Sequence, residues 1–332
     1  MALELIDSWV AQGWVDAAAA VVVARSGVLE RRTAGAAGHD SLFALASVTK
    51  PIVALAVLTA AEEGVLALDA PVAEHLAEYR DPPRSSITAR HLLSHASGLP
   101  ESARGVSPLE VLPTRPPETR RVYSNVGFHV LGRLLAAATE MPYHRYTHEA
   151  VVAPLGMDSY LPLPERDETR ALPVRDPGMA EPGVQLFNDR RWRARASAAG
   201  GAFATAGAIG RLVSVILTGG APLLHEQTLA EFATVQFPGL DGGLESVPWL
   251  RCPDWGLGVN VRGGGSLHWV GDSVSPSTLS HYGASGTLFW ADPVRGLGLV
   301  CLAARGAYSG WMFQPGGWSE LSQRVMAEHD PR

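Results

Sequence analysis

The stretch from Phe43 to Pro51 reads FALASVTKP and holds Lys50, the single lysine among 27 Lys plus Arg residues. Every other cationic side chain is therefore arginine, which keeps its proton under ordinary conditions, whereas a desolvated lysine can lose it. Where a plain positive charge suffices this chain uses arginine, so its one lysine is a candidate for a task that needs a removable proton. Ser47 lies three residues earlier, and i, i+3 spacing puts both side chains on one helical face. Pro51 is tolerated only in a helix's first turn, where its missing N–H leaves no bond unmade, so the pattern predicts a helix beginning near Ser47. Such a start aims free N–H groups and the positive dipole end at the serine oxygen. The following IVALAVLTA is apolar on every side, the mark of a core helix, and Gly64 stops it. A lysine at the mouth of that helix is expected to be partly desolvated, with its pKa lowered.

Working outward, ELIDSWVAQGW reads as a short helix, and AAAAVVVARSGVLERRTAG as two strands joined at Arg25-Ser26-Gly27. From about residue 70 to 200 the chain reads as helices and proline-rich loops, with SNVGFHVLGRLLAAAT the clearest helix. Three late stretches, DWGLGVNVRG, SHYGASGTLFWAD and GLGLVCLAARG, look like strands, and WSELSQRVMAEH like a last helix. Strands at both ends with helices between them predict one α/β unit closed by both termini and interrupted by a helical insertion. The expected division is residues 1–65 with 200–332 against residues 66–199, with the site in the cleft between them.

Composition narrows the function. The chain has 332 residues, 46% hydrophobic and 18% charged, with a net charge of −6 and a pI near 6.0. A nucleic-acid partner is not expected, because the phosphate backbone needs a dense basic patch. The one basic run, Arg190, Arg191, Arg193 and Arg195, reads as a solvated surface segment. Two cysteines, Cys252 and Cys301, form no CxxC pair and read as buried thiols of a reducing compartment. The start MALELIDSWV lacks a secretory pattern, and no run approaches the ~20 apolar residues that span a bilayer, so no membrane association is expected and a cytoplasmic protein is. His144 and His148 are spaced i, i+4, but Glu149 is adjacent to them rather than between, so the H-E-x-x-H motif is absent and no metal is expected. No P-loop, dinucleotide fingerprint or G-x-S-x-G elbow occurs, and no cofactor is expected. His95 reads as a structural histidine packing a turn.

A serine nucleophile needs a base, a proton route to the leaving group and donors for the oxyanion. Tyr123-Ser124-Asn125, just before an apolar helix, offers a phenol and an amide two residues apart, though such a tripeptide also serves as an ordinary helix cap. A tyrosine beside a lysine ammonium can act as general acid or base. At the start of a late strand, His281-Tyr282-Gly283-Ala284-Ser285-Gly286-Thr287 carries glycines that would let substrate lie close to the backbone.

Taken in order, S-V-T-K at 47–50, Y-S-N at 123–125 and H-Y-G at 281–283 resemble the three signature elements of serine β-lactamases and penicillin-binding-protein-like enzymes. LLSHASGLP at 92–100 and GGAFATAGAIGRL at 200–212 agree, and the branch it resembles most is that of class C β-lactamases and family VIII carboxylesterases. The resemblance implies an α+β fold, an antiparallel sheet flanked by helices and formed by both termini, with an inserted mainly helical domain. It implies Ser47 as the acylated nucleophile, Lys50 and Tyr123 sharing its proton, and Asn125 orienting Lys50. The backbone N–H groups of Ser47 and Ala284 would form the oxyanion hole, with His281 and Gly283 on the substrate side. Where β-lactamases and transpeptidases usually carry Lys-Thr-Gly this chain has His-Tyr-Gly, and a mostly neutral histidine holds a substrate carboxylate less well. The expected activity is hydrolysis of small-molecule esters or amides through an acyl-enzyme, an ester first. A β-lactamase, a D-amino-acid amidase or peptidase, and an acyl transferase use the same groups. A binding protein that merely kept the fold needs none of this chemistry. The loop AYSGWMFQPGGW at 307–318 is expected to line an acyl pocket, with Trp311 as its marker.

Overall fold

Alanine and valine with no polar alternation, as in Ala17 to Val23, suit a strand buried on both faces, and that is where the chain puts them. The computed structural model describes residues 1–103, 105–175, 184–244, 254–264 and 269–330; Trp249, Cys252 and the side chain of Tyr308 lie outside the described residues. Along the chain the strands are β1 Ala17–Ala24, β2 Gly27–Gly35, β3 Phe43–Ala44, β4 Arg121–Val122, β5 Ser159–Tyr160 and β6 Phe203–Ala204. Then come β7 Gly242–Gly243, β8 Asn260–Val261, β9 Leu279–Gly283, β10 Thr287–Asp292 and β11 Leu297–Ala303. The helices are α1 Leu5–Ala11, α2 Thr49–Glu62, α3 Ala89–Leu93, α4 Asn125–Thr139 and α5 Tyr143–Thr147. They continue with α6 Arg190–Ala194, α7 Ala206–Leu217, α8 Glu226–Ala233 and α9 Trp318–His329.

The main sheet runs β2-β1-β11-β10-β9-β8, antiparallel throughout. Its central seam joins the two ends of the chain, with Val21 opposite Val300. Because side chains alternate across a strand, Ala19, Val21 and Val23 enter the core that holds α2 and α7, while Ala18, Ala20 and Val22 enter the core under α1 and α9. Both faces are covered, which accounts for the unbroken apolar run. This is the antiparallel sheet flanked by helices that the sequence implies.

Two late stretches differ from the expectation in detail. SHYGASGTLFWAD is a hairpin, β9 and β10, turning at Gly286, whose φ of +91° suits glycine. Within DWGLGVNVRG only Asn260–Val261 pairs in the sheet. Gly258 (φ +89°) lies against α2, where a Cβ would sit 2.3 Å from that of Ala54, so this stretch packs on the buried helix instead of extending. Of the basic run, Arg190, Arg191 and Arg195 are exposed, whereas Arg193 is half-buried with its guanidinium 5.0 Å from the Phe203 ring centroid. Among the described residues no helix is long and apolar enough to cross a membrane.

Candidate active site

Ser47 sits in a 3-10 turn, Ala46–Val48, that leads straight into α2. Ala46 holds φ at +46°, a conformation that non-glycine residues seldom adopt, so the turn is locally strained and kept by its surroundings. Those surroundings are specific. Thr287 Oγ1 on β10 donates to Leu45 O at 2.8 Å, and Leu45 N donates to Ala202 O at 2.9 Å. Gly283 at the end of β9 lets the strand lie directly on this segment, since a Cβ there would be 2.2 Å from Leu45 O. Gly283 thus makes room for the turn that carries Ser47, and it is not among the residues that line the cavity, where the sequence reading put it on the substrate side.

One turn into α2, Lys50 is fully buried. Its Nζ meets three oxygens: Ser47 Oγ at 3.2 Å, Asn125 Oδ1 at 2.8 Å and Ala199 O at 2.6 Å. Burial drives its pKa well below the usual lysine range, a fall only partly opposed by the Glu101 carboxylate. The Tyr123 ring centroid is 4.8 Å from Nζ. Asn125 is the first residue of α4, and Ser124 is its N-cap, with Oγ accepting from Gly127 N at 3.0 Å. Tyr-Ser-Asn is therefore a helix cap and a site element at once: the central serine caps, and its two neighbours face the lysine and the cavity.

His95 buttresses that element. Its carbonyl accepts from Val122 N at 3.0 Å, and its Nδ1 accepts from Ser124 N at 3.0 Å. The buried Arg121 donates to Ser94 O and to Gln236 O at 2.7 Å, which fixes β4 just before Tyr123. Burial lowers the Arg121 pKa to about 10, which leaves it charged at neutral pH.

His281 on β9 is buried, with Nδ1–H donating to Tyr282 O at 2.8 Å. Burial first, and the Lys50 charge second, push its pKa down to about 3, so the ring is neutral throughout the physiological range. Ala284, directly after β9, borders the same cavity.

Ser47, Tyr123, Asn125, His281 and Ala284 all line one cavity of about 300 Å³. The sequence reading missed Glu101, Leu244 and Tyr282 in its wall. Glu101 follows LLSHASGLP without a break, and Tyr282 is the middle of His-Tyr-Gly, so both adjoined stretches already singled out. Trp255, Trp269 and Phe313 line it as well, but Trp311 does not. That residue is buried in the core under α1 and α9, its ring centroid 5.1 Å from Trp9 and 5.8 Å from Trp318. The loop reaches the cavity through Ala307, Gly310 and Phe313 instead.

A buried amine against a serine hydroxyl at the head of a core helix, on this sheet, defines the class of serine hydrolases with a Ser-x-x-Lys pair. A family model described as Beta-lactamase matches residues 4–309, and the chain belongs to that family. Esterase EstB of Burkholderia gladioli is 31% identical over 350 aligned residues, 88% of this chain and 86% of that protein. A solved beta-lactamase from Mycobacterium bovis is 35% identical and superposes with a TM-score of 0.73 over 99% of this chain and 100% of that one. EstA from Arthrobacter nitroguajacolicus Rue61a superposes with a TM-score of 0.80 at 23% identity, over 98% and 95% of the two chains, a likeness of fold.

Proposed function

We propose that this protein is a carboxylesterase that works through an acyl-enzyme on Ser47. The observation that carries the reading is the trio of oxygens around Lys50 Nζ. Two of them, Asn125 Oδ1 and Ala199 O, can only accept. A neutral amine has two N–H groups and one lone pair. With both N–H groups given to those carbonyls, the lone pair is left to take the Ser47 proton. The depressed Lys50 pKa favours that neutral form.

Ser47 Oγ then attacks the ester carbonyl as its proton moves to Nζ. The N–H groups of Ser47 and Ala284 hold the oxyanion, and Tyr123 with Lys50 returns the proton to the leaving alkoxide. Water releases the acid by the same route in reverse. Lys50 must be unprotonated, so kcat/KM rises with pH through its lowered pKa and then levels.

We assign the sheet part to residues 1–65 with 200–332 and the helical part to 66–199, with the cavity between them. A cytoplasmic location, with no nucleic-acid or membrane partner, accords with the acidic composition and the buried free thiol of Cys301; cell fractionation tests it.

A second reading, lactam or D-aminoacyl amide hydrolysis, or acyl transfer, has support in the 35% identity to a solved beta-lactamase. Against it stands the neutral His281 where a carboxylate-binding cation would be. The test is p-nitrophenyl butyrate hydrolysis by wild type, Ser47→Ala, Lys50→Arg and Lys50→Met, with nitrocefin in parallel. The expected result is ester turnover that falls at least about a thousandfold in each variant, with nitrocefin slower than the ester. Full activity in both Lys50 variants would overturn the role of the amine, and nitrocefin turned over faster than any ester would promote the second reading.

A further inference from the structure

Ser47, Lys50, Tyr123 and Asn125, with the Ala284 N–H, account for the chemistry and leave most of the cavity wall without a task. Among the described residues that wall is aromatic and carries one carboxylate: Trp255, Trp269, Tyr282 and Phe313 stand with Glu101, beside the Tyr123 ring. Among the described residues no arginine or lysine side chain lines it. The rings are close neighbours, with centroids 5.5 Å apart for Tyr123 and Trp255 and 4.9 Å for Trp269 and Tyr282.

Glu101 is held firmly in place. Its carbonyl accepts from Asn125 N at 3.0 Å, and the preceding Pro100 O accepts from Ser124 Oγ at 2.7 Å. The Glu101 backbone is thus tied to the same helix cap that presents Tyr123 and Asn125, and Glu101 lines the cavity. Its charge is felt inside the site, where it opposes the fall in the Lys50 pKa.

Negative charge beside aromatic faces is the arrangement that attracts organic cations, because ring faces carry the negative side of their quadrupole. Anions meet the reverse: a carboxylate in the wall, and at residue 281 a ring with no charge to offer.

Given the ester chemistry proposed above, we propose that this cavity selects esters bearing one positive charge, a quaternary ammonium or protonated amine, with Glu101 as counter-charge and the aromatic rings as its cage. A single favourable cation contact of this kind corresponds to roughly tenfold in kcat/KM.

The experiment compares butyrylcholine with its neutral carbon isostere, 3,3-dimethylbutyl butyrate, in wild type and in Glu101→Gln, with p-nitrophenyl butyrate as the reference ester. The two butyrates match in shape and differ in charge. The expected result is a cationic-to-neutral ratio of kcat/KM of about ten or more in wild type, falling toward one in Glu101→Gln. As a measurement independent of turnover, tetramethylammonium should inhibit p-nitrophenyl butyrate hydrolysis by wild type, and less so by the variant. A wild-type ratio at or below one overturns the proposal. So does a ratio that Glu101→Gln leaves unchanged, or inertness toward both butyrates while p-nitrophenyl butyrate is cleaved. Inertness toward all three esters is a different result, since it removes the ester reading itself.

Discussion

Two cavities of nearly equal size lie in this molecule, about 300 Å³ at Ser47 and about 320 Å³ beside α5, and they differ in what their polar groups experience. The first contains or adjoins a fully buried lysine, whose Nζ lies 3.2 Å from Ser47 Oγ, a buried histidine and a buried tyrosine. The second is lined by Ile52, Val152 and prolines together with His144, Arg145 and His148. There Arg145 and His148 are exposed, and Arg145 pairs with Glu149 one helical turn away at 2.9 Å. Volume does not tell the two apart. Desolvation does, because only a group removed from water has its proton affinity reset far enough to do chemistry at neutral pH.

The comparison can be broken at Gly283. Gly283→Ala places a methyl against Leu45 O, a backbone atom that cannot swing aside. We expect the Leu45–Ser47 segment to shift, kcat for p-nitrophenyl butyrate to fall at least tenfold, and stability to drop by about 2 kcal/mol. Unchanged kinetics would show that the strand does not hold the Ser47 turn.

Acid sharpens the contrast. Burial lowers the pKa of His281 to about 3 and of His129 to about 4, and holds His95 well below the usual value of 6.5. The folded state therefore binds fewer protons than the unfolded chain below pH 6.5, and stability falls as pH falls. Between pH 6.5 and 5.5 each buried ring costs about 1 kcal/mol, somewhat less for the partly exposed His129. Urea midpoints at the two pH values check this, and a flat profile would mean the rings are not held neutral.

The second cavity should be nearly silent. His148→Ala is expected to leave ester turnover within about twofold and stability within ~0.5 kcal/mol, as for an exposed position without special contacts. A large loss of turnover would make that cavity part of the site.

Much of this was legible in the chain. The i, i+3 pair, Pro51 and the all-round apolar run place Ser47 and Lys50 at the head of a core helix. The hairpin turn at Arg25-Ser26 and the helix Trp318–His329 stand where their punctuation puts them. What failed were statements about direction. Trp311 sits in a loop rich in glycine and proline, yet it packs between Trp9 and Trp318, because Gly310 at φ +71° turns the chain and sends the indole inward. Glu101 drew no notice because a lone acidic residue after a proline has no periodicity to mark it.

The sequence by itself determined the class of chemistry, since that rests on residue types at short spacings, which fix local geometry. The tertiary structure alone decided that Asn125 and the Ala199 carbonyl meet Lys50, across sequence separations of 75 and 149 residues. It also decided that the amine is fully buried, and that Glu101 and several aromatic residues share a cavity with the serine. Desolvation and convergence are set by everything packed around a group, and no spacing along the chain encodes them.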